Sequence, residues 1–310
     1  MPKYSVVVPI YNEQETLREL YQRLEAVLSK MGESYEIIFV NDGSRDRSLE
    51  VMKELAAKNP SVKVVGLSRN FGLQVAYCAG IDHASGEAVI PMDGDLQDPP
   101  ELIPDLIKKW KEGYDVVYTV KTKRREGFFK RLAFSGFYRL LKGVSSVEMP
   151  LDAGSFSIMS RKVADIFKAM PEKNRLLSAI RAWIGMRQAG ITYDRDARFH
   201  GEPRQTYLRL MRMATDGLFA FSTVPIRVAT VLGFVTCGLT LILIIIVVLL
   251  RIFTNLIPET GWTSLMIVIT FFGGVQLVFI GILGEYICRI FDEVKNRPLY
   301  LVSEKKGFDR

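Results

Sequence analysis

Short apolar runs alternate with amphipathic stretches over the first part of the chain. The segment Tyr4–Ile10 (YSVVVPI) is apolar in a way typical of a buried strand, and Glu13–Met31 repeats leucines at helical spacing. The alternation continues through EIIFVND, Ser48–Lys58, VKVVGLS, Leu73–Ser85, EAVIPMD, Pro100–Glu112 and DVVYTV. Strands separated by helices pair in parallel through right-handed crossovers. We therefore expect an α/β domain with a doubly wound, mostly parallel sheet.

Three polar clusters directly follow predicted strands: YNE (11–13), NDGS (41–44) and DGDLQD (93–98). In open α/β sheets, ligands bind beyond the carboxyl ends of the strands, so these clusters are expected to meet at one edge. Neither a G-x-G-x-x-G nor a Walker pattern follows the first strand. A nucleotide at this edge would therefore be held without a glycine-rich phosphate loop.

Two apolar runs, Val228–Leu250 and Thr260–Gly284, contain no charged residue. Each is long enough to cross a bilayer as a helix. Two buried helices of a soluble core are the alternative, but helices of soluble proteins generally keep a polar face. Arg227 precedes the first run and several bases follow the second, whereas the connecting stretch has only Arg251 at its edge. The positive-inside rule then places both termini and the N-terminal domain in the cytoplasm, on a multi-pass protein of the inner (plasma) membrane.

Bases alternate with aromatic and aliphatic residues in two further stretches, Lys121–Gly143 and Arg204–Ser222. Basic amphipathic helices of this kind lie at the surface of an anionic leaflet. RNA binding is the competing interpretation, and the neighbouring apolar runs favour the membrane. The predicted organisation is a cytoplasmic domain (1–203), amphipathic juxtamembrane helices (204–226), a helical hairpin (227–288, with spans at about 228–250 and 262–286) and a cytoplasmic tail (289–310).

The composition agrees with a folded chain that has an anionic partner. Hydrophobic residues make up 48% and charged residues 24% of the 310 residues, which excludes a disordered chain. The net charge of +7 suggests nucleic acid, a phosphorylated substrate or acidic lipid. The three cysteines have no metal-ligand spacing and give no sign of an oxidising compartment, and we expect no signal peptide at the N-terminus.

The cluster PMDGDLQDPPE (91–101) concentrates carboxylates that need a reason to lie together. Asp93 and Asp95 are two residues apart at a predicted strand end, so both side chains can point the same way. Paired hard oxygen ligands suit Mg²⁺ or Mn²⁺, and Gln97 could add a neutral oxygen. A calcium EF-hand loop is excluded, because its sixth and twelfth positions here are Asp98 and Pro104. We expect Asp98 to cap the helix that opens with two prolines.

Five motifs occur in order along the chain: VVPIYNE, VNDGS, LSRNFG, MDGDLQDPPE and LGEYICRIFDEVKNRPLYLV. Together they resemble the membrane-bound polyprenyl-phosphate glycosyltransferases of glycosyltransferase family 2, which include bactoprenol glucosyltransferases and dolichyl-phosphate mannose synthases. The resemblance covers nearly the whole chain. It implies a GT-A fold, a nucleotide-sugar donor, a membrane polyprenyl (undecaprenyl) phosphate acceptor, a homo-oligomer and no nucleic-acid partner.

The resemblance also implies roles for individual residues. The donor nucleotide is expected at Pro9, Tyr11, Asn12, Glu13, Asp42, Ser44 and Asp93. The metal, Mg²⁺ or Mn²⁺, is expected at Asp93, Asp95 and Gln97. The acceptor phosphate is expected at Lys121, Arg124, Arg131, Arg198 and Arg204. The catalytic positions are Asp95, Asp152 and Ser155.

The implied reaction is an inverting transfer in which a polyprenyl phosphate oxygen attacks the anomeric carbon while nucleoside diphosphate leaves. A divalent cation would offset the charge that builds on the leaving group. Because a phosphate monoester has a second pKa of about 6, the acceptor is mostly dianionic at neutral pH and needs a strong general base less than a hydroxyl does. UDP-glucose is the first candidate donor, with a UDP-N-acetylhexosamine or a modified pentose as alternatives.

Three departures from the family pattern bear on this expectation. Ser155 of DAGSF stands where many members carry a catalytic aspartate, Lys121 stands where Arg is more frequent, and Pro203 replaces a Ser or Thr. Two other functions are weighed. A processive polysaccharide synthase needs more spans and a Q-x-x-R-W motif, which RAWIG (181–185) lacks. A non-catalytic nucleotide-sugar-binding scaffold stays open because of Ser155.

Overall fold

A computed structural model describes residues 1–121, 153–173, 175–193, 224–253 and 261–308. Its elements in chain order are β1 Tyr4–Ile10, α1 Leu17–Lys30, β2 Tyr35–Asn41, α2 Ser48–Lys58, β3 Val62–Leu67, α3 Leu73–His83, β4 Ala88–Pro91, a 3-10 turn Pro100–Leu102, α4 Ile103–Lys111, β5 Val116–Lys121, β6 Ala153–Ser160, α5 Arg161–Ala169, α6 Leu177–Ile184, β7 Gln188–Tyr193, α7 Val224–Phe253, α8 Trp262–Val294 and β8 Val302–Lys306.

The strands of this part of the chain form one sheet in the order β7-β5-β6-β4-β1-β2-β3-β8. Strands β1, β2, β3 and β4 pair in parallel, as do β5 and β7. Strand β6 runs antiparallel to both β4 and β5, and β8 runs antiparallel to β3. The expected α/β domain with a mostly parallel sheet is therefore confirmed, with two reversed strands that the sequence pattern did not predict.

Helices cover both faces of the sheet, which explains why the strands are continuously apolar. All seven residues of β1 are buried. On one face α1, α2 and α4 pack against alternate strand residues, and on the other face α3, α5 and α6 do the same. Gly80 lets α3 lie close to the sheet, because a Cβ there would be 2.2 Å from Cγ1 of Val7.

The segment after the second apolar helix adds the edge strand β8, although we expected only a cytoplasmic tail there. Val65 of β3 is opposite Lys305 of β8, and the Ser68 amide donates to the Leu301 carbonyl at 2.9 Å. The Tyr300 hydroxyl donates to Oδ2 of Asp82 at 2.8 Å. Residues from Arg297 onward thus belong to the same compact unit as the N-terminal sheet.

The second compact unit contains helices α7 and α8. Each includes a stretch long and apolar enough to cross a membrane by length and composition, Val228–Val247 and Ile267–Val294. Both helices extend beyond the predicted spans. Residues 204–223 of the predicted juxtamembrane segment lie outside the described residues, and its last three residues begin α7. The domain boundary predicted at residue 203 also lies outside the described residues.

Candidate active site

The loop after β1 is tied to the loop after β2 by reciprocal hydrogen bonds. The Asn12 amide donates to Oγ of Ser44 at 3.0 Å, and Oδ1 of Asn12 accepts from the Arg45 amide at 2.8 Å. Asn12 has a φ of 55°, a left-handed conformation that asparagine tolerates better than most residues. The Glu13 amide donates to Oγ of Ser48 at 3.0 Å. Three residues of two predicted clusters, Asn12, Glu13 and Ser44, therefore meet at the carboxyl edge of the sheet, where hydrogen bonds hold the two loops together.

Asp42 at the end of β2 is buried and shapes the next loop. Its Oδ1 accepts from the Phe71 amide at 2.7 Å, and its Oδ2 accepts from the Gly72 amide at 3.0 Å. Burial raises the pKa of Asp42, while the two backbone donors act in the opposite direction. Asp42 therefore fixes the RNFG turn (69–72) beside the loops that follow β1 and β2.

The cluster 93–98 forms a loop, since β4 already ends at Pro91. The alternation argument that placed Asp93 and Asp95 on one face of a strand therefore does not apply. The Asp95 carboxylate accepts from the Gln97 amide at 3.1 Å, and Leu96 between them has a φ of 59°. Asp93, Asp95 and Gln97 are all half-buried. Their proximity along a tight loop, rather than strand geometry, brings the predicted metal ligands together.

The side chain of Tyr77, on α3, contacts this loop. The hydroxyl of the fully buried Tyr77 donates to Oδ1 of Asp93 at 2.5 Å, and the side chain of Ser155 on β6 interacts with the same hydroxyl and acts to lower its pKa. Burial raises the pKa of Tyr77 well above its usual value, and the charges of Asp93 and Asp98 add to this rise. Tyr77 therefore remains a proton donor. The sequence analysis did not identify it.

Asp98 does not cap the following helix as expected. Pro99 is the residue that precedes the 3-10 turn, and Asp98 is buried with Oδ1 accepting a hydrogen bond from the Tyr193 hydroxyl of β7. The helix start needs no side-chain cap at Asp98, because two prolines already remove backbone donors there. The carboxylate instead anchors the far end of the loop to the sheet.

Arg181 of α6 is a buried cation that the sequence analysis noted only as part of RAWIG. Its Nη2 donates to the Gly154 carbonyl at 3.3 Å and its guanidinium lies 5.0 Å from the ring centre of Tyr118. Its Nη1 has no hydrogen-bond partner among the described residues. Burial lowers the pKa of Arg181 to about 10, so it remains charged at neutral pH. A buried positive charge thus lies beside the start of β6.

The other predicted residues divide into two groups. Pro9 is buried in β1, Tyr11 and Glu13 lie in the loop that follows, and Lys121 ends β5 opposite Tyr193 of β7. The remaining acceptor and catalytic candidates lie outside the described residues: Arg124, Arg131, Asp152, Arg198 and Arg204.

This arrangement defines a class of protein: an α/β enzyme that takes a ligand at the carboxyl edge of its sheet, where carboxylate-bearing loops meet, and that carries two long apolar helices in the same chain. The family model "Glycosyl transferase family 2" matches residues 5–167. The chain belongs to glycosyltransferase family 2, and its sheet domain is of the GT-A type.

Full-length relatives agree with this assignment. "Uncharacterized glycosyltransferase YkcC" of Bacillus subtilis is 44% identical over 99% of this chain and 95% of its own length. "Uncharacterized glycosyltransferase sll0501" of Synechocystis is 44% identical over 98% of this chain and 96% of its own. "SfII prophage-derived bactoprenol glucosyl transferase" of Shigella flexneri is 39% identical over 97% of this chain and 98% of its own. These matches confirm the resemblance to the membrane-bound polyprenyl-phosphate branch of the family.

Proposed function

We propose that this glycosyltransferase moves a sugar, with glucose as the first candidate, from a UDP-sugar to a polyprenyl phosphate, with inversion at the anomeric carbon. The observation that carries the proposal is the 39% identity with a bactoprenol glucosyl transferase over nearly the full length, apolar helices included. A relationship confined to the sheet domain would support only the use of a nucleotide sugar. A relationship that includes the membrane segment also supports a lipid acceptor.

The loop 93–98 is the proposed site of a divalent cation. Among the described residues, no group of three or more His, Cys, Asp or Glu side chains could hold a metal by itself. Two neighbouring carboxylates with an amide nearby fit Mg²⁺ or Mn²⁺, which commonly takes one or two protein carboxylates and completes its shell with substrate phosphate and water. Asp93, Asp95 and Gln97 would hold the ion, which when bound would offset the charge of the departing diphosphate.

The remaining residues of the edge would position two anionic substrates. The loops after β1, β2 and β3, which are joined through Asn12, Ser44 and Asp42, would line the nucleotide-binding site. The acceptor phosphate forms its new bond to the anomeric carbon as the bond from that carbon to the diphosphate oxygen breaks. Arg181 supports this placement, because its Nη1 has no hydrogen-bond partner among the described residues and a buried cation favours an anion nearby. Lys121, Arg124, Arg131, Arg198 and Arg204 remain the proposed acceptor-phosphate residues.

The pairing of β8 with β3 supports a membrane hairpin. The sheet domain and the segment after α8 lie in one sheet, so both are on the same side of any membrane that the chain crosses. The number of crossings between them must then be even, which two apolar helices satisfy. The basic flanks of these helices support the assignment of that side to the cytoplasm. A homo-oligomer remains a prediction.

The test is a transfer assay on membranes that contain the full chain, with labelled UDP-glucose, UDP-N-acetylhexosamines and UDP-pentoses, polyprenyl phosphate and Mg²⁺ or Mn²⁺. We expect label in the lipid extract from UDP-glucose. Asp95→Ala is expected to lower the rate by about 100-fold or more, since a lost metal contact removes several kcal/mol of transition-state stabilisation. Asp105→Ala, which removes an exposed carboxylate of α4, is the matched control and should retain the wild-type rate.

The outcomes separate the alternatives. Transfer from another UDP-sugar alone would replace glucose but keep the reaction class. Binding of UDP-sugars without transfer to lipid by the wild type, and with no effect of Asp95→Ala, would favour the non-catalytic scaffold instead. Equal loss of activity in Asp95→Ala and Asp105→Ala would contradict a specific role for Asp95.

A further inference from the structure

Tyr77 joins the two parts of the site whose roles the sequence left most open. It lies on α3, in the core of the face formed by α3, α5 and α6, and only its hydroxyl reaches the carboxyl edge. There the hydroxyl donates a hydrogen bond to Asp93 of the loop after β4 and interacts with the side chain of Ser155 on β6. Since α3, β4 and β6 are separate elements, one phenol oxygen fixes their relative positions at the site.

The contact with Asp93 is of the kind that orients a ligand. A hydrogen bond from a neutral donor to a carboxylate is short and strong, and the Tyr77–Asp93 distance of 2.5 Å agrees with this. Such a bond restricts the carboxylate to one rotamer. Outer contacts of this type set the direction of metal-binding side chains, and their loss typically lowers metal affinity by about 10- to 100-fold.

A second tyrosine shows that the loop is held at both ends. The Tyr193 hydroxyl donates to Asp98, but Asp98 is buried within the fold, whereas Asp93 is half-buried at the edge. The Tyr193 contact therefore anchors the loop, while the Tyr77 contact acts on a carboxylate that is partly exposed to solvent.

We propose that Tyr77 is a positioning residue of the donor site, whose hydroxyl, supported by Ser155, holds the Asp93 carboxylate in the orientation that receives the cation and the donor diphosphate. Within this arrangement Ser155 acts on Asp93 through Tyr77. The inference rests on the proposed use of a UDP-sugar with a divalent cation.

The test compares Tyr77→Phe with Tyr4→Phe in the full chain. Tyr4 is equally buried in the same domain, and its hydroxyl has no hydrogen-bond partner among the described residues, so Tyr4→Phe controls for the loss of a buried hydroxyl. Binding of Mn²⁺ in the presence of UDP is measured by titration calorimetry. The Mn²⁺ dependence of the transfer rate and the KM for polyprenyl phosphate are measured in the same preparations.

Tyr77→Phe is expected to weaken Mn²⁺ binding and to raise the half-maximal Mn²⁺ concentration by about 10-fold or more, with the KM for polyprenyl phosphate unchanged. Ser155→Ala should shift both quantities in the same direction by a smaller factor, and Tyr4→Phe should shift neither. Unchanged Mn²⁺ binding in Tyr77→Phe would overturn the inference, as would equal shifts in Tyr77→Phe and Tyr4→Phe. If Ser155→Ala lowered kcat alone, Ser155 would act in the chemistry and not through Tyr77. A wild type that transfers no sugar would instead remove the proposed function on which the inference rests.

Discussion

Gly43, at the carboxyl edge of the sheet, is constrained both in its backbone conformation and in the space for a side chain. It lies between Asp42 and Ser44 with a φ of +66°, and a Cβ there would be 2.4 Å from the carbonyl carbon of Arg69. Glycine at this position therefore meets two requirements at once, a left-handed backbone and a close approach between the loops after β2 and β3. Any side chain would push these loops apart.

Gly43→Ala is expected to lower the free energy of unfolding by about 2 kcal/mol or more, because left-handed strain and a steric clash add together. The control is Gly32→Ala, since Gly32 has nearly the same φ, +68°, but no atom within 4 Å of an added Cβ. The control should cost only the strain, about 1 kcal/mol. Chemical unfolding of both variants measures the difference, and equal losses would mean that the loops can separate freely.

At the scale of elements, the sequence predicted what depends on local burial and missed what depends on pairing. Strands β1 to β5 were predicted because sheets covered on both faces have continuous apolar runs. Strand β8 (VSEKK) has no such run, since it is a polar edge strand whose existence depends on the open edge of β3. Helix α1 begins at Leu17 and not at Glu13, because the preceding residues form a loop whose amides are hydrogen-bonded to Ser44 and Ser48.

The same distinction holds within the site. The carboxylates of 93–98 are neighbours in sequence and could be recognised as a group. Their tyrosine partners lie 16 and 95 residues away, on α3 and β7, so only the packing of the sheet and its helices reveals them. Arg181 was missed for a related reason, because its burial, with Nη1 unpartnered among the described residues, is a property of its surroundings in the fold.

Helix α3 and the segment around β8 form a contact that should depend on pH. The ring of His83 packs edge-on against Phe308, with 5.5 Å between ring centres, and its centre lies 6.5 Å from that of Tyr300. Its Nδ1 is 2.7 Å from the carbonyl oxygen of Ala79. Burial lowers the pKa of His83 below the ordinary 6.5. Lys305 and Lys168 act in the same direction and Asp82 opposes them.

The unfolded chain takes up a proton at His83 near pH 6.5, whereas the folded chain does so only at lower pH. The unfolded state therefore binds more protons in this window, and stability should fall as the pH drops below 6.5. His83→Gln should show a smaller fall between pH 7.5 and 5.5 in thermal unfolding experiments. Parallel curves for the wild type and the variant would contradict this expectation.

At the scale of the whole molecule, one sheet contains strands that precede the two apolar helices in the sequence and a strand, β8, that follows them. Glu15 is exposed beyond β1, and Lys306 ends β8. If the helices form a membrane hairpin, a cysteine at either position must react from the same side of the membrane. A cysteine at Asn255, in the stretch between the helices, must react from the opposite side.

We expect Glu15→Cys and Lys306→Cys, made in a background without Cys237 and Cys288, to be labelled by an impermeant maleimide only after the cytoplasmic face is opened. Asn255→Cys should be labelled on intact cells. Labelling of Lys306→Cys on intact cells would contradict the hairpin. Labelling of all three positions from the cytoplasmic face alone would show that the helices do not cross.

The position of β8 also determines the order in which the protein can mature. Strand β3 is made early, but the strand that covers it leaves the ribosome only after both apolar helices have been synthesised. An open sheet edge is a template for wrong pairing between nascent chains. Membrane insertion would thus precede completion of the sheet, and until β8 has been made β3 presents an open, aggregation-prone edge.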